Sequence, residues 1–200
     1  FWLLVIRVKQ PIRLYRKENI LKKGAFLFVA NHQSSNDPFL LSAGTRRHLA
    51  FMGKDSLFAH PVGNFILRQL GAYPINREAN PKEVLDLTIE ILRRGKPTTM
   101  FPEGNRNKEN DELRSFKKGA ALVAIRAGVP VIPAAILGTN RKDGPISVWF
   151  GEAIQPPSYS RENLQVFNEE MEAAVGLLVE KLKPLHYARV AKRSKSVVQK

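Results

Sequence analysis

Ala25-Phe26-Leu27-Phe28-Val29-Ala30, followed at once by Asn31-His32-Gln33-Ser34-Ser35-Asn36-Asp37-Pro38, decides how this chain folds. The first six residues are apolar with no polar alternation. Such a run fits a strand buried on both faces, as in a parallel or mixed sheet. Asp37 and Pro38 then precede Phe39-Leu40-Leu41, which predicts a helix start with Asp37 at the N-cap and Pro38 at N1. His32 therefore falls just past a buried strand, where active-site loops of open α/β sheets lie.

The spacing of His32 and Asp37 has its own consequence. Inside one helix, five residues at about 100° each would set them roughly 140° apart. With His32 in the loop and Asp37 at the helix start, the loop can fold back and let them meet. A carboxylate on one imidazole nitrogen fixes the tautomer and makes the other nitrogen the better base. His32 is thus a candidate general base. The bland alternative is that Asp37 only caps a helix and His32 is a polar loop residue.

Outward from this stretch, apolar runs alternate with helical patterns. Strands are expected at 48–52, 72–75, 97–101, 129–137 and 147–154, and helices at 37–45, 61–70, 81–94, 116–127 and 162–182. The fold class is α/β: one domain over 24–183, a mixed, largely parallel sheet flanked by helices. Residues 1–23 form a basic, apolar start and 184–200 a basic tail, disordered on this reading. Two hundred residues at 44% hydrophobic and 25% charged suit one such domain.

The net charge of +14 sits at the ends. Residues 1–23 hold seven Lys/Arg against one acid, and 181–200 hold seven against none, whereas 24–180 hold 18 against 17. Basic ends on a neutral body suggest a polyanionic surface, either anionic lipid or nucleic acid. Each Lys/Arg near an anionic leaflet contributes at most about 1 kcal/mol. Phe1-Trp2-Leu3-Leu4-Val5-Ile6 is far short of the ~20 apolar residues of a span. It reads as the end of a lost span in a chain cut at Phe1, or as an interfacial helix with Trp2 at headgroup level. Aromatics interleaved with cations would favour nucleic acid, but the last twenty residues hold Tyr187 alone. With no cysteine there is no thiol nucleophile, disulfide or Cys-based zinc site. His48, His60 and His186 lack partners at metal-ligand spacing, so no metal is expected.

Phe101-Pro102-Glu103-Gly104-Asn105-Arg106 also follows an apolar strand. Pro and Gly impose a tight turn, and Gly104 allows close backbone approach. Arg106 can grip a phosphate through two parallel hydrogen bonds, and so can Arg77 after the 72–75 strand. Taken singly, either Arg can equally be a solvated loop charge.

Together these pieces resemble the glycerolipid acyltransferase family that acylates 1-acylglycerol-3-phosphate (lysophosphatidic acid). Its first motif, Asn-His, four residues, then Asp, corresponds to Asn31, His32 and Asp37. Its second, ending in Arg, corresponds to Gly71–Arg77, and its third, Phe-Pro-Glu-Gly-Thr-Arg-Ser, to Phe101–Asn107. A Phe-Lys-x-Gly stretch follows at Phe116, Lys117 and Gly119, and a Val-Pro-Val-Ile-Pro strand at Val129–Pro133. Asn76, Asn105 and Asn107 stand where Asp, Thr and Ser are usual, which bears on acceptor preference rather than reaction type.

The resemblance implies direct acyl transfer from acyl-CoA or acyl carrier protein to a glycerol hydroxyl, with no further cofactor. It implies His32 as base, Asp37 as its orienting acid, and Arg77 and Arg106 on the acceptor phosphate. Asn31, Glu103, Gly104 and Lys117 would bind substrate, and Val131 and Pro133 would line the acyl side. The enzyme would sit on an anionic membrane at the cytoplasmic face and bind no nucleic acid. Glycerol 3-phosphate or another lysolipid remains an alternative acceptor, and a non-catalytic basic binding protein is the rival class.

Overall fold

The computed structural model describes residues 10–75 and 80–198, with side chains to residue 195. Its centre is β2 (Leu27–Ala30), every residue of which is buried. Strand β2 pairs in parallel with β5 (Thr98–Met100) on one side and β6 (Val131–Leu137) on the other. Strand β7 (Ile146–Phe150) adds antiparallel to β6, and β1 (Ile12–Tyr15) closes the edge parallel to β7, giving the order β1-β7-β6-β2-β5. A separate parallel pair, β3 (Phe51–Lys54) and β4 (Ala72–Ile75), touches β5 through the Ala50–Thr98 bridge. The expected mixed, largely parallel sheet flanked by helices is what forms.

The unalternated run at Ala25–Ala30 is explained by what covers it. Helix α1 (Asp37–Gly44) packs Leu40 and Leu41 on one face with Phe26, Phe28 and Ile132. On the other face, α3 (Pro81–Arg93), α4 (Gly119–Ala127) and α5 (Arg161–Val198) bury Leu27, Val29 and Val131. Helix α2 (Pro61–Gln69), between α1 and α3 in the chain, packs beside β4 and buries no residue of its own. Helix α4 is small-residue rich so that it can sit close on the sheet: Ala120, Ala121 and Ala124 are all buried. It stops at Gly128, whose φ of 65° is the left-handed C-terminal conformation glycine adopts at little cost.

The connections out of β2 and β5 leave to opposite faces, α1 to one and the crossover α4 to the other. A crevice opens at the carboxyl ends of such neighbouring strands. The loops that begin at Asn31 and Phe101 both enter it.

Two expectations need correction. Asp37 is not the N-cap: Asn36 is, and Asp37 is the first helical residue, its carboxylate turned back onto the preceding loop. The final helix does not end near residue 182. Helix α5 continues through Pro184 to Val198. An interior proline costs roughly 3 kcal/mol. Contacts beyond it offset that cost: His186 is fully buried, and Arg189 donates to the Ile146 and Pro11 carbonyls. Residues 1–9, where the interfacial segment was expected, and Arg77 lie outside the described residues. Among the described residues no helix is long and apolar enough to cross a membrane.

Candidate active site

Strand β2 and β6 part company at Asn31. Its buried side-chain amide donates to the Ile136 carbonyl (2.8 Å) and accepts from the Ile136 N–H (2.7 Å). The side chain thereby satisfies main-chain groups that the next residue of β2 would otherwise have met. The backbone is released to turn into the loop, and Asn31 is occupied by the sheet rather than turned to the crevice.

The loop folds back as its spacing allowed. His32 Nδ1 lies 2.8 Å from Asp37 Oδ2. The same oxygen accepts the N–H groups of Gln33 (2.7 Å) and Ser34 (2.8 Å). Capping-type and imidazole contacts therefore coexist on one carboxylate oxygen. Asp37 is fully buried and the His32 side chain 18% exposed. Because a carboxylate only accepts, Nδ1 donates, and in the neutral imidazole that leaves the Nε2 lone pair for substrate.

The second loop clamps the first. The His32 N–H donates to Glu103 Oε1 (3.0 Å), and the His32 carbonyl accepts from the Asn107 N–H (2.6 Å). Phe101 stacks on the imidazole at 4.1 Å between centroids and 15° between planes. The imidazole is thus held at its backbone, at Nδ1 and on one ring face. Burial pushes the Glu103 carboxyl up to about 7, and Asp37 adds to the rise, against the lowering pull of the His32 N–H and of Arg114. Near neutral pH Glu103 is only partly charged, and its Oε2 is buried without a partner among the described residues.

Beside His32 is a cavity of about 200 Å³ lined by His32, Gly104, Asn105, Arg106 and Lys108. Among the described residues two cations and no acid line it, so it suits an anion. Gly104 has φ 79°, a conformation that side-chain-bearing residues rarely adopt, so the turn needs glycine there. Lys117 lies over that turn and ties it down through its N–H to the Pro102 carbonyl (2.9 Å).

The structure thus gathers His32, Asp37, Glu103, Gly104, Arg106 and Lys117. Val131 and Pro133 are elsewhere. Val131, two residues before Pro133 and so on the same face of β6, packs in the core. Pro133 lines a second cavity, of about 480 Å³, with Trp149, Gly151, Leu178 and Lys181, which shares no lining residue with the first. Sequence reasoning missed Lys108, the stacking of Phe101 and the two backbone bonds to His32. Lys108 carried a readable signal, a cation two residues past Arg106. Among the described residues no group of three or more His, Asp or Glu could hold a metal ion.

The acyltransferase family model matches residues 11–137. The chain is 36% identical over 119 residues to the chloroplastic 1-acyl-sn-glycerol-3-phosphate acyltransferase of Arabidopsis thaliana, covering 58% of this chain and 32% of that one. The chain thus spans about a third of that relative's length. With the Bacillus subtilis 1-acyl-sn-glycerol-3-phosphate acyltransferase the identity is 26%, over 91% of this chain and 95% of the relative. The crystal structure of the 1-acyl-sn-glycerophosphate acyltransferase PlsC from Thermotoga maritima superposes with a TM-score of 0.71 at 33% identity, covering 87% of this chain and 73% of that one. The family match runs through every strand from β1 to the end of β6 and encloses both loops of the crevice. On that ground the chain belongs to the acyltransferase family.

Proposed function

We propose that this acyltransferase moves a fatty acyl group from an acyl thioester to the sn-2 hydroxyl of 1-acylglycerol 3-phosphate, giving phosphatidic acid. One observation carries the reading: an imidazole pinned by Asp37 faces a cavity walled by Arg106 and Lys108. His32 Nε2 takes the hydroxyl proton as the alcohol oxygen bonds to the thioester carbonyl carbon. The tetrahedral intermediate then expels the thiolate, which takes the proton back from the imidazolium. Asp37 stabilises the charge that His32 carries meanwhile. A positioned base contributes about 10²–10⁴-fold.

Arg106 binds the acceptor phosphate, joined by Arg77 as the sequence motif implies, and Lys108 adds a third cation. Glu103, Gly104 and Lys117 shape the turn that presents Arg106. Asn31 serves by holding the sheet open. The thioester is the co-substrate, as acyl-CoA or acyl carrier protein, with no further cofactor. The basic termini support attachment to anionic lipid, at the cytoplasmic face on this reading.

The test incubates the protein with labelled acyl-CoA and lysophosphatidic acid, glycerol 3-phosphate or neutral lysolipids in parallel. Labelled phosphatidic acid is expected. Preference for glycerol 3-phosphate would reassign the acceptor, and no transfer to any of them would overturn the proposal.

A further inference from the structure

Gln33 belongs to the His32 loop but points away from the cavity, into a buried polar cluster. Its Nε2 donates to Asp111 Oδ1 at 2.7 Å, and its Oε1 accepts from Thr139 Oγ1 at 3.4 Å. Asp111 Oδ2 in turn accepts from the Tyr187 hydroxyl (2.7 Å) and from Arg141 (3.4 Å). Gln33 is 2% and Asp111 6% exposed. Three donors from three separate segments therefore converge on one carboxylate: the catalytic loop, the turn after β6, and α5 beyond Pro184. Only an acceptor-only group satisfies all of them, and a carboxylate is one. Burying that charge costs free energy unless it is fully paired, as it is here.

We propose that Asp111 is a positioning residue for the His32–Asp37 pair, acting through Gln33, and that α5 supplies the hydroxyl that holds it. The inference rests on the reading of His32 as base. The link is short. The Gln33 N–H is one of the two backbone donors on Asp37 Oδ2. That N–H points at Asp37 while the loop keeps its course, and the buried amide of Gln33 fixes the course from the far side. Of the neighbouring serines, Ser34 is half-buried and Ser35 exposed, whereas Gln33 is buried. Tyr187, fifty residues past the end of the family match, thereby belongs to the support of the catalytic pair.

Asp111→Asn keeps the volume but turns an N–H₂ toward one of the three donors. We expect kcat to fall about tenfold, equivalent to about 1.4 kcal/mol, with the acceptor KM within about twofold. Gln33→Ala should act alike, and the double variant should be no worse than either single one. The separating readout is the imidazole ¹⁵N spectrum of His32, one of four histidines, identified by its loss in His32→Gln. Wild type should show the Nδ1–H tautomer, and Asp111→Asn a mixture. Tyr187→Phe, which leaves the Gln33–Asp111 bond intact, should shift the spectrum less and stands in should Asp111→Asn not fold. An unchanged His32 spectrum in these variants, or fully multiplicative kcat losses in the double variant, overturns the proposal. A wild-type protein inactive on lysophosphatidic acid would count against the proposed acceptor, while the spectrum would still decide the positioning.

Discussion

Replacing Asp37 by Asn changes one heavy atom at a place solvent does not reach. The amide oxygen can still accept from the Gln33 and Ser34 N–H groups and from His32 Nδ1, so the loop keeps its path. What goes is the charge. When His32 takes the substrate proton, its new charge lies about 4 Å from the carboxylate, an attraction of about 4 kcal/mol at an effective dielectric of about 20. That converts to about 10³ in rate. The expected result is kcat down about a thousandfold, acceptor KM little changed and unfolding midpoint near wild type. Asp37→Ala, by contrast, strands two backbone donors and Nδ1, each costing roughly 1–3 kcal/mol, and should be visibly destabilised. Thioester turnover can be followed by a thiol-reactive dye, because a chain without cysteine gives no background. A kcat for Asp37→Asn within tenfold of wild type would refute the charge argument and with it the base assignment.

Three further predictions concern the same groups and their surroundings. Glu103 is lifted from its ordinary 4.5 to about 7 by burial, so the folded state binds the extra proton and loses stability as pH rises between those values, by about 2–3 kcal/mol. His186 is lowered from 6.5 to about 4 by burial, so its contribution runs the other way, lost as pH falls through that window, about 2 kcal/mol of it by pH 5. Wild type should therefore be nearly flat around pH 6. Urea unfolding should tilt toward higher pH in Glu103→Gln and toward lower pH in His186→Gln, and parallel profiles would contradict both shifts. Arg106→Ala should raise the acceptor KM at least tenfold and Arg106→Lys recover part of it, since an ammonium cannot form the bidentate pair. An unchanged KM removes Arg106 from the anion site.

Much of the centre of this molecule could be read in advance. The run Ala25–Ala30 identified a strand covered on both faces because only apolar side chains survive there. With His32 in the loop and Asp37 at the helix start, the five-residue step left the loop able to fold back and let them meet, and the structure shows that it does. What escaped were features set by long-range partners. Pro184 forecasts a helix end on local grounds, and burial of His186 together with the bonds of Arg189 overrides it. Asp111 sits in a polar stretch, and nothing nearby announces that Tyr187 and Gln33 will converge on it. Phe101 looked like one more apolar residue after a strand, and its stacking depends on how two loops cross. Val131 and Pro133 were expected at the acyl side because they stand in a motif; the structure sets Val131 in the core and Pro133 on the second cavity.

The Asn31 clasp on Ile136 sets a chemical constraint on that position. The group there must give one proton and receive another, in the plane and at the span of a peptide unit. Aspartate can only receive, leucine does neither, and glutamine is one carbon too long. Its identity is therefore dictated by the neighbouring strand's main chain, whatever molecule is acylated. Relatives that handle quite different alcohols could keep this asparagine for the same reason, as the hinge pin of a doorway rather than a part of what passes through.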